Sequence, residues 1–164
     1  MDNTYKIEKY KYSTTGKIKK SKISFKEPFK NSFLNESLQD IYLSDLSIQS
    51  IFTPNNFSFI GDGKYSFDET NFRKINFENI SKKNLLNLKL NFDYSNSLKI
   101  DLINFKKRKN SVANLSLDLI KKKDYFKINK LEFTEEKNSI RVNNLEFDNN
   151  NFLSLEKIIV ATKN

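Results

Sequence analysis

Leu86-Asn87-Leu88-Lys89-Leu90-Asn91-Phe92-Asp93-Tyr94 sets a large apolar residue at every even position and a polar one at every odd position. A strand turns successive side chains to opposite faces. This period of two therefore puts Leu86, Leu88, Leu90, Phe92 and Tyr94 on one side. Ser95-Asn96-Ser97 interrupts the pattern, and Leu98, Ile100 and Leu102 resume it up to Phe105. Two such runs around a short Asn/Ser turn predict an antiparallel hairpin. Most of the chain repeats this unit. The expected fold is all-β: a long antiparallel meander of about 10–12 strands curled into a single twisted sheet or groove.

From residue 84 onward the pattern is regular. Turn-like spots near Ser95–Ser97, Lys106–Asn110, Lys121–Asp124, Glu135–Asn138 and Asn149–Asn151 recur about every 13 or 14 residues. Phe105 to Val112 matches Phe133 to Ile140 at an offset of 28, which is two strands. The runs between hold Leu115, Leu117 and Leu119; Phe126, Ile128, Leu131 and Phe133; Ile140, Val142, Leu145 and Phe147; and Leu153, Leu155, Ile158 and Val160. Several shift parity midway, which implies bulges.

Residues 1–80 are less regular. Tyr5 to Ser13 reads as a strand with a parity change, Thr14-Thr15-Gly16 as a turn, and Lys17 to Lys26 as a second strand ended by Pro28. Phe33, Leu34 and Leu38 have helical spacing, which predicts one short helix near 32–39 or an irregular loop. Ile41 and Leu43 followed by Leu46 and Ile48 read as a strand with a parity slip. Thr53-Pro54-Asn55-Asn56 reads as a turn. Gly61-Asp62-Gly63-Lys64 is either a hairpin turn or a kink in one long strand, and the short flanking arms favour one strand. Phe72, Ile75 and Phe77 predict a further short strand ending near Asn79. The chain is read as a single β-rich domain over 1–164, or as a segment of a longer repeating array.

Composition narrows the chemistry. The 164 residues include no Cys and no His, which excludes disulfides, thiolate chemistry, His-based triads and nearly all zinc sites. Hydrophobic residues are 37% and charged residues 30%, with 15 Phe and 7 Tyr supplying the large apolar groups. No apolar run is long enough to cross a membrane as a helix, and the start has no apolar leader core. Net charge is +9, and residues 1–30 carry nine Lys against Asp2, Glu8 and Glu27, which is +6 of it.

Candidate sites stand beside simpler readings. Gly61-Asp62-Gly63-Lys64 lacks the spacing and following helix of a phosphate loop. Asp62, Asp68 and Glu69 are close in sequence, but solvated charges are the ordinary reading. Lys with interleaved Tyr5, Tyr10, Tyr12 and Phe25 resembles a stacking platform for nucleic acid. Lysines guarding an edge strand explain it more simply. The lysine-rich turns at 106–109 and 121–123 fall at opposite ends of a meander and make no single basic pole, so nucleic acid is not favoured. Four Asn-x-Ser sequons, at Asn35, Asn56, Asn79 and Asn114, are expected by chance in an Asn-rich chain.

The apolar stripe remains. A nine-residue strand spans roughly 30 Å, about the thickness of a lipid acyl region. Each large side chain left wet forfeits roughly 1.5–3 kcal/mol. No long amphipathic helix is present to cover the face. Its cover must be the sheet itself, a partner or an apolar ligand.

Gly63-Lys64-Tyr65-Ser66-Phe67, Leu131 to Ile140 and Leu153-Ser154-Leu155-Glu156-Lys157-Ile158 give the chain a style that resembles the AsmA-like superfamily, the AsmA/TamB/YhdP type of repeating β-groove protein. The resemblance covers most of the chain and rests on no invariant motif. It implies a strand array anchored in the bacterial inner membrane, crossing the periplasm and moving phospholipid toward the outer membrane. On that footing the chain is a central slice of such a bridge, with no anchor or signal of its own. The implied partner is phospholipid or another acyl-chain ligand, with an anionic membrane surface as a second. No catalytic residue, metal or cofactor is implied. Acyl chains would lie on Leu86, Leu88, Leu90, Phe92, Leu98, Ile100, Leu102, Leu115, Leu117 and Leu119. The main alternative is a closed β-sandwich or barrel that binds an anionic partner through its Lys-rich N-terminal strands. An outer-membrane barrel would want Gly and Trp girdles, whereas the chain has 3 Gly and no Trp.

Overall fold

The computed structural model describes residues 9–29, 37–82, 84–100, 105–109, 111–149 and 151–162. Among them the chain is all strand: β1 Tyr12–Phe29, β2 Leu38–Phe52, β3 Asn56–Ser66, β4 Arg73–Lys82, β5 Leu85–Tyr94, β6 Leu98–Ile100, β7 Phe105–Lys107, β8 Ala113–Lys122, β9 Tyr125–Glu135, β10 Asn138–Asp148 and β11 Asn151–Ala161. Nine of these form one antiparallel sheet in the order β1-β2-β3-β4-β5-β8-β9-β10-β11, and β6 and β7 pair separately. The sheet is open, with β1 and β11 as its edges. That excludes closure into a barrel.

The hairpin between 86–94 and 98–105 does not form. β5 pairs instead with β8, setting Leu88 opposite Leu119, Leu90 opposite Leu117 and Phe92 opposite Leu115. From Leu88–Leu119 to Tyr94–Ala113 that ladder matches seven consecutive pairs apolar to apolar and polar to polar, while Leu85–Lys122, Leu86–Lys121 and Asn87–Ile120 at its end do not match. Of the run after Ser97, the described residues form the three-residue strand β6. β6 pairs with β7, and Leu98, Ile100 and Phe105 pack on Ala113, Phe133 and Ile140. The excursion is therefore a flap lying on one end of the apolar face. Phe105 does not hold a strand position equivalent to that of Phe133. It packs edge-on against the Phe133 ring, with centroids 5.4 Å apart.

Three other expectations change. Thr14-Thr15-Gly16 is not a turn but part of β1, where Gly16 faces Ile48 and Tyr12 faces Phe52. Pro28 also lies inside β1, tolerated because an edge strand has no ladder partner on its outer side. Leu38 and Gln39 open β2 rather than ending a helix, and 31–36 lie outside the described residues. β4 runs past Asn79 to Lys82.

Gly61 and Gly63 sit within the single strand β3. They are required by close approach: a Cβ on Gly61 would lie 2.7 Å from Phe77 Cε2 and 2.9 Å from the Ser47 carbonyl oxygen. One on Gly63 would lie 2.9 Å from Leu46 Cα. Large side chains of β4 and β2 thus lie over bare backbone.

The parity slips at Leu43–Leu46 and Val142–Leu145 fall on two lines, apart from register shifts between Ser24 and Phe29 of β1 and between Glu146 and Phe147 of β10. In β2 the slip between Leu43 and Leu46 is taken up at Asp45, with φ of 53°. β1 crosses the same level without losing register, while β3 does lose it, between Ser44 and Ser47 of β2. On the other side, Asn144 of β10 has φ of 48°. β9, β10 and β11 stay in register across this level, while β8 and β9 shift between Asp118 and Leu119. Each bulged strand bends and twists locally. Two aligned bend lines thus flank a regular middle of β3, β4, β5 and β8. Short turns close the hairpins through residues with positive φ: Asn84, Lys123, Glu136 and Asn149.

Candidate functional site

The registers join the apolar residues of nine strands into one face. One row across it reads Ile48, Gly61, Phe77, Leu90, Leu117, Leu131, Val142 and Ile158. The next reads Ser50, Phe59, Asn79, Leu88, Leu119, Ile128, Leu145 and Leu155. A sheet with one apolar face ordinarily buries it against a second layer. Among the described residues the only material over this face is the β6–β7 flap, at the end near Ala113, Phe133 and Ile140. Away from it Leu86, Leu88, Leu90 and Leu117 remain half-buried.

Of the residues expected to hold acyl chains, Leu86, Leu88, Leu90, Phe92, Leu115, Leu117 and Leu119 lie side by side on β5 and β8. Leu98 and Ile100 belong to the flap and cover the floor instead of forming it. Leu102 lies outside the described residues. The floor also extends through residues that sequence reasoning did not join to it: Phe59, Ile75 and Phe77 on one side, Ile128, Leu131 and Val142 on the other. Their alternation is visible in sequence, but only the registers show which alternating set shares a side.

Aromatic rings line the end of the face opposite the flap. Tyr12, Phe52, Phe57, Phe59 and Phe77 form a run of ring contacts with centroids 4.7 to 6.1 Å apart. Phe126, Phe147 and Phe152 form a second run at 6.5 and 6.2 Å. Between the runs the face carries Ser81, Leu86 and Lys121. Asn79, in the middle of β4, is 6% exposed and its Oδ1 has no hydrogen-bond partner.

The flap is held by a buried polar knot. Lys107 is 0% exposed. Its Nζ donates to the carbonyls of Arg108 at 2.9 Å and Ser111 at 2.5 Å, and lies 5.6 Å from the Tyr94 ring centroid. Burial pushes its ammonium below the usual lysine range, and the negative charge of Glu135 opposes that shift. Glu135 is itself buried and accepts a hydrogen bond from Ser111 Oγ. Lys107 is thus not one of a solvated cluster with its neighbours. Beside the knot, Tyr65 Oη donates to the Asp93 carbonyl at 2.6 Å. Burial holds that phenol well above its ordinary range, with Tyr94 and Asp93 adding to the shift.

The opposite face is polar and self-paired. Glu78, Lys89, Asp118 and Lys130 follow one another across four strands with alternating sign, around an open depression of about 580 Å³. Lys127 and Glu146 pair at 2.9 Å, and Glu132 pairs with Lys130 and Arg141. Asp62, Asp68 and Glu69 do not converge. Asp62 faces Asn76 in the sheet, whereas Asp68 caps the β3–β4 turn. The Asp68 carboxylate accepts from the backbone of Asn71 and Thr70 and from Ser66 Oγ, which holds it well below the usual carboxylate range. No group of acidic residues among the described residues is placed to hold a metal ion.

On β1, alternation separates Tyr12 and Ile18, on the apolar side, from Lys17 and Lys22 on the other. Tyr12 therefore does not interleave with these lysines on one surface, although Lys22 Nζ lies 5.4 Å from the Tyr42 ring centroid; Tyr5 lies outside the described residues. Lys22 is paired with Asp40 at 3.0 Å. The lysine-rich stretches at 106–109 and 121–123 fall at opposite ends of the sheet, as the two ends of β8 require. No protein-family model, curated protein or solved structure matches the chain.

Proposed function

We propose that this chain is a non-catalytic apolar-groove segment of AsmA-like type, which holds phospholipid acyl chains during transfer between membranes and so serves outer-membrane biogenesis in the periplasm. The observation that supports this reading is the nine-strand apolar face with a flap over one end and no second layer among the described residues. Acyl chains lie on Leu86, Leu88, Leu90 and Phe92 of β5 and Leu115, Leu117 and Leu119 of β8, and headgroups stay in water. Contact with this floor lowers the cost of exposing an acyl chain, by roughly 0.8 kcal/mol per CH₂ shielded. The aromatic runs at the far end suit the boundary between chains and headgroups, because rings tolerate a half-wet setting.

The test is mass spectrometry of an organic extract of the purified chain, beside a Leu88→Asp variant checked for strand content by circular dichroism. Stoichiometric phospholipid in the parent and none in the folded variant is the expected result. Equal lipid in a folded Leu88→Asp variant sinks the reading. A lipid-free parent whose binding to anionic surfaces falls steeply with salt would instead favour docking through the lysines of β1.

A further inference from the structure

β11 is an open edge. β10 pairs with its inner side, and no strand among the described residues pairs with its outer side. Its apolar side chains stand in solvent, Phe152 at 61% exposure and Ile158 at 49%. The strand has no Pro or Gly, and its charges are Glu156 and Lys157 alone. The other edge is unlike it. β1 carries Lys17, Lys19, Lys20, Lys22 and Lys26 and contains Pro28. These are the features that keep an edge from pairing. One edge is guarded and the other is not.

The order of side chains along β11 has a two-fold pattern. Its register with β10 puts Leu155, Ile158 and Val160 on the apolar side and Ser154, Lys157 and Ile159 on the other. Alternation from Leu155 places Glu156 on the polar side, and its carboxylate accepts a hydrogen bond from Asn144 Nδ2. Leu153 is the extra residue at the register shift opposite Glu146 and Phe147, so the pattern runs from Ser154 to Ile159. About the midpoint between Glu156 and Lys157, this sequence of sides reads the same in both directions. The bend line at Asn144 makes that so, because it lets Leu155 and Ile158 share a side although three positions apart.

Laid antiparallel about that midpoint, a second β11 meets the first apolar to apolar. Leu155 faces the partner's Ile158, twice. Glu156 faces the partner's Lys157, also twice. A slip of one residue either way brings Glu156 onto the partner's Glu156, or Lys157 onto the partner's Lys157, and sets apolar against polar. Cross-strand charge pairs and the face rule therefore select one register.

We propose that a second copy of this chain pairs along β11 across a two-fold axis, joining two nine-strand sheets into one. The interface is isologous, so it closes at the dimer. It does not depend on lipid binding, and either reading can fail without the other.

Sedimentation velocity of the full chain over a concentration series tests this. The expected parent is a dimer. Glu156→Lys and Lys157→Glu each turn two attractive pairs into two repulsive ones and weaken association about tenfold or more. The exchanged variant E156K/K157E regains the dimer, and so does an equimolar mixture of the two single variants. Both side chains are exposed, and circular dichroism checks that each variant keeps its strand content. A parent that stays monomeric overturns the proposal. So does a dimer indifferent to both single changes, or a folded exchanged variant that stays monomeric. Assemblies that grow beyond the dimer overturn it as well, since they indicate head-to-tail pairing of β1 with β11.

Discussion

Replacing Lys107 with Met keeps the stem that fills the flap and removes its charged tip. Two hydrogen bonds from Nζ, to the carbonyls of Arg108 and Ser111, are lost. Bonds from a charged donor contribute about 1.5–3 kcal/mol each, and dropping the buried ammonium returns part of that sum. Glu135 stays behind, buried, with its hydrogen bond from Ser111 but without the nearby positive charge of Lys107. The net loss of stability is about 2–4 kcal/mol, the two lost bonds less the returned desolvation. Because the knot ties only the flap, the first consequence is local opening. Hydrogen exchange read by mass spectrometry shows it as faster exchange of residues 105–113, and urea unfolding gives the global part. Glu135→Gln costs less in the Lys107→Met background than in the parent, by about 1–3 kcal/mol. A variant within about 1 kcal/mol of the parent by urea, with unchanged exchange over 105–113, refutes the knot as the flap's fastening.

Gly63→Ala pushes a methyl against the backbone of Leu46 and lowers stability by about 1–3 kcal/mol in urea unfolding. Glu136→Asn raises stability by about 0.5–1 kcal/mol, measured the same way, because Glu136 sits at φ of 51° where Asn is better tolerated. Asp68 has its folded pKa held below its ordinary value of 3.8, so its contribution is present above pH 3.8 and is lost as pH falls through the lowered folded value. Asp68→Asn therefore flattens the fall of thermal midpoint on acidification below that pH, and an unchanged slope counts against the turn as its source.

The period of two at Leu86–Tyr94 was enough to place β5 and to give it one apolar side, because alternation is a local property of the chain. Pairing is not local. Leu98 and Ile100 alternate as well as Leu117 and Leu119 do, and nothing within three residues could say that the ladder would skip to Ala113. The parity slips at Leu43–Leu46 and Val142–Leu145 were legible as bulges, but their alignment into bend lines needs the registers of neighbouring strands. Thr14-Thr15-Gly16 read as a turn because its residues are turn formers. In β1 the ladder to β2 overrides that preference. Lys107 was the least legible. Lysine in a lysine-rich turn is normally solvated, and only the flap folding back over Tyr94 encloses it.

The linear strand order also governs how the molecule assembles and comes apart. Each strand of the large sheet contacts chiefly its ladder neighbours, and all but one of those ladders join strands consecutive in the chain. The exception is β5 with β8, which must close over the flap. Contacts this local favour rapid zippering from whichever hairpin forms first, with the β5–β8 closure as the slowest step. Stability is then close to a sum of neighbour terms, as in a solenoid. Force applied at β11 would peel the sheet one strand at a time, and the record would be a staircase of small releases instead of a single rupture.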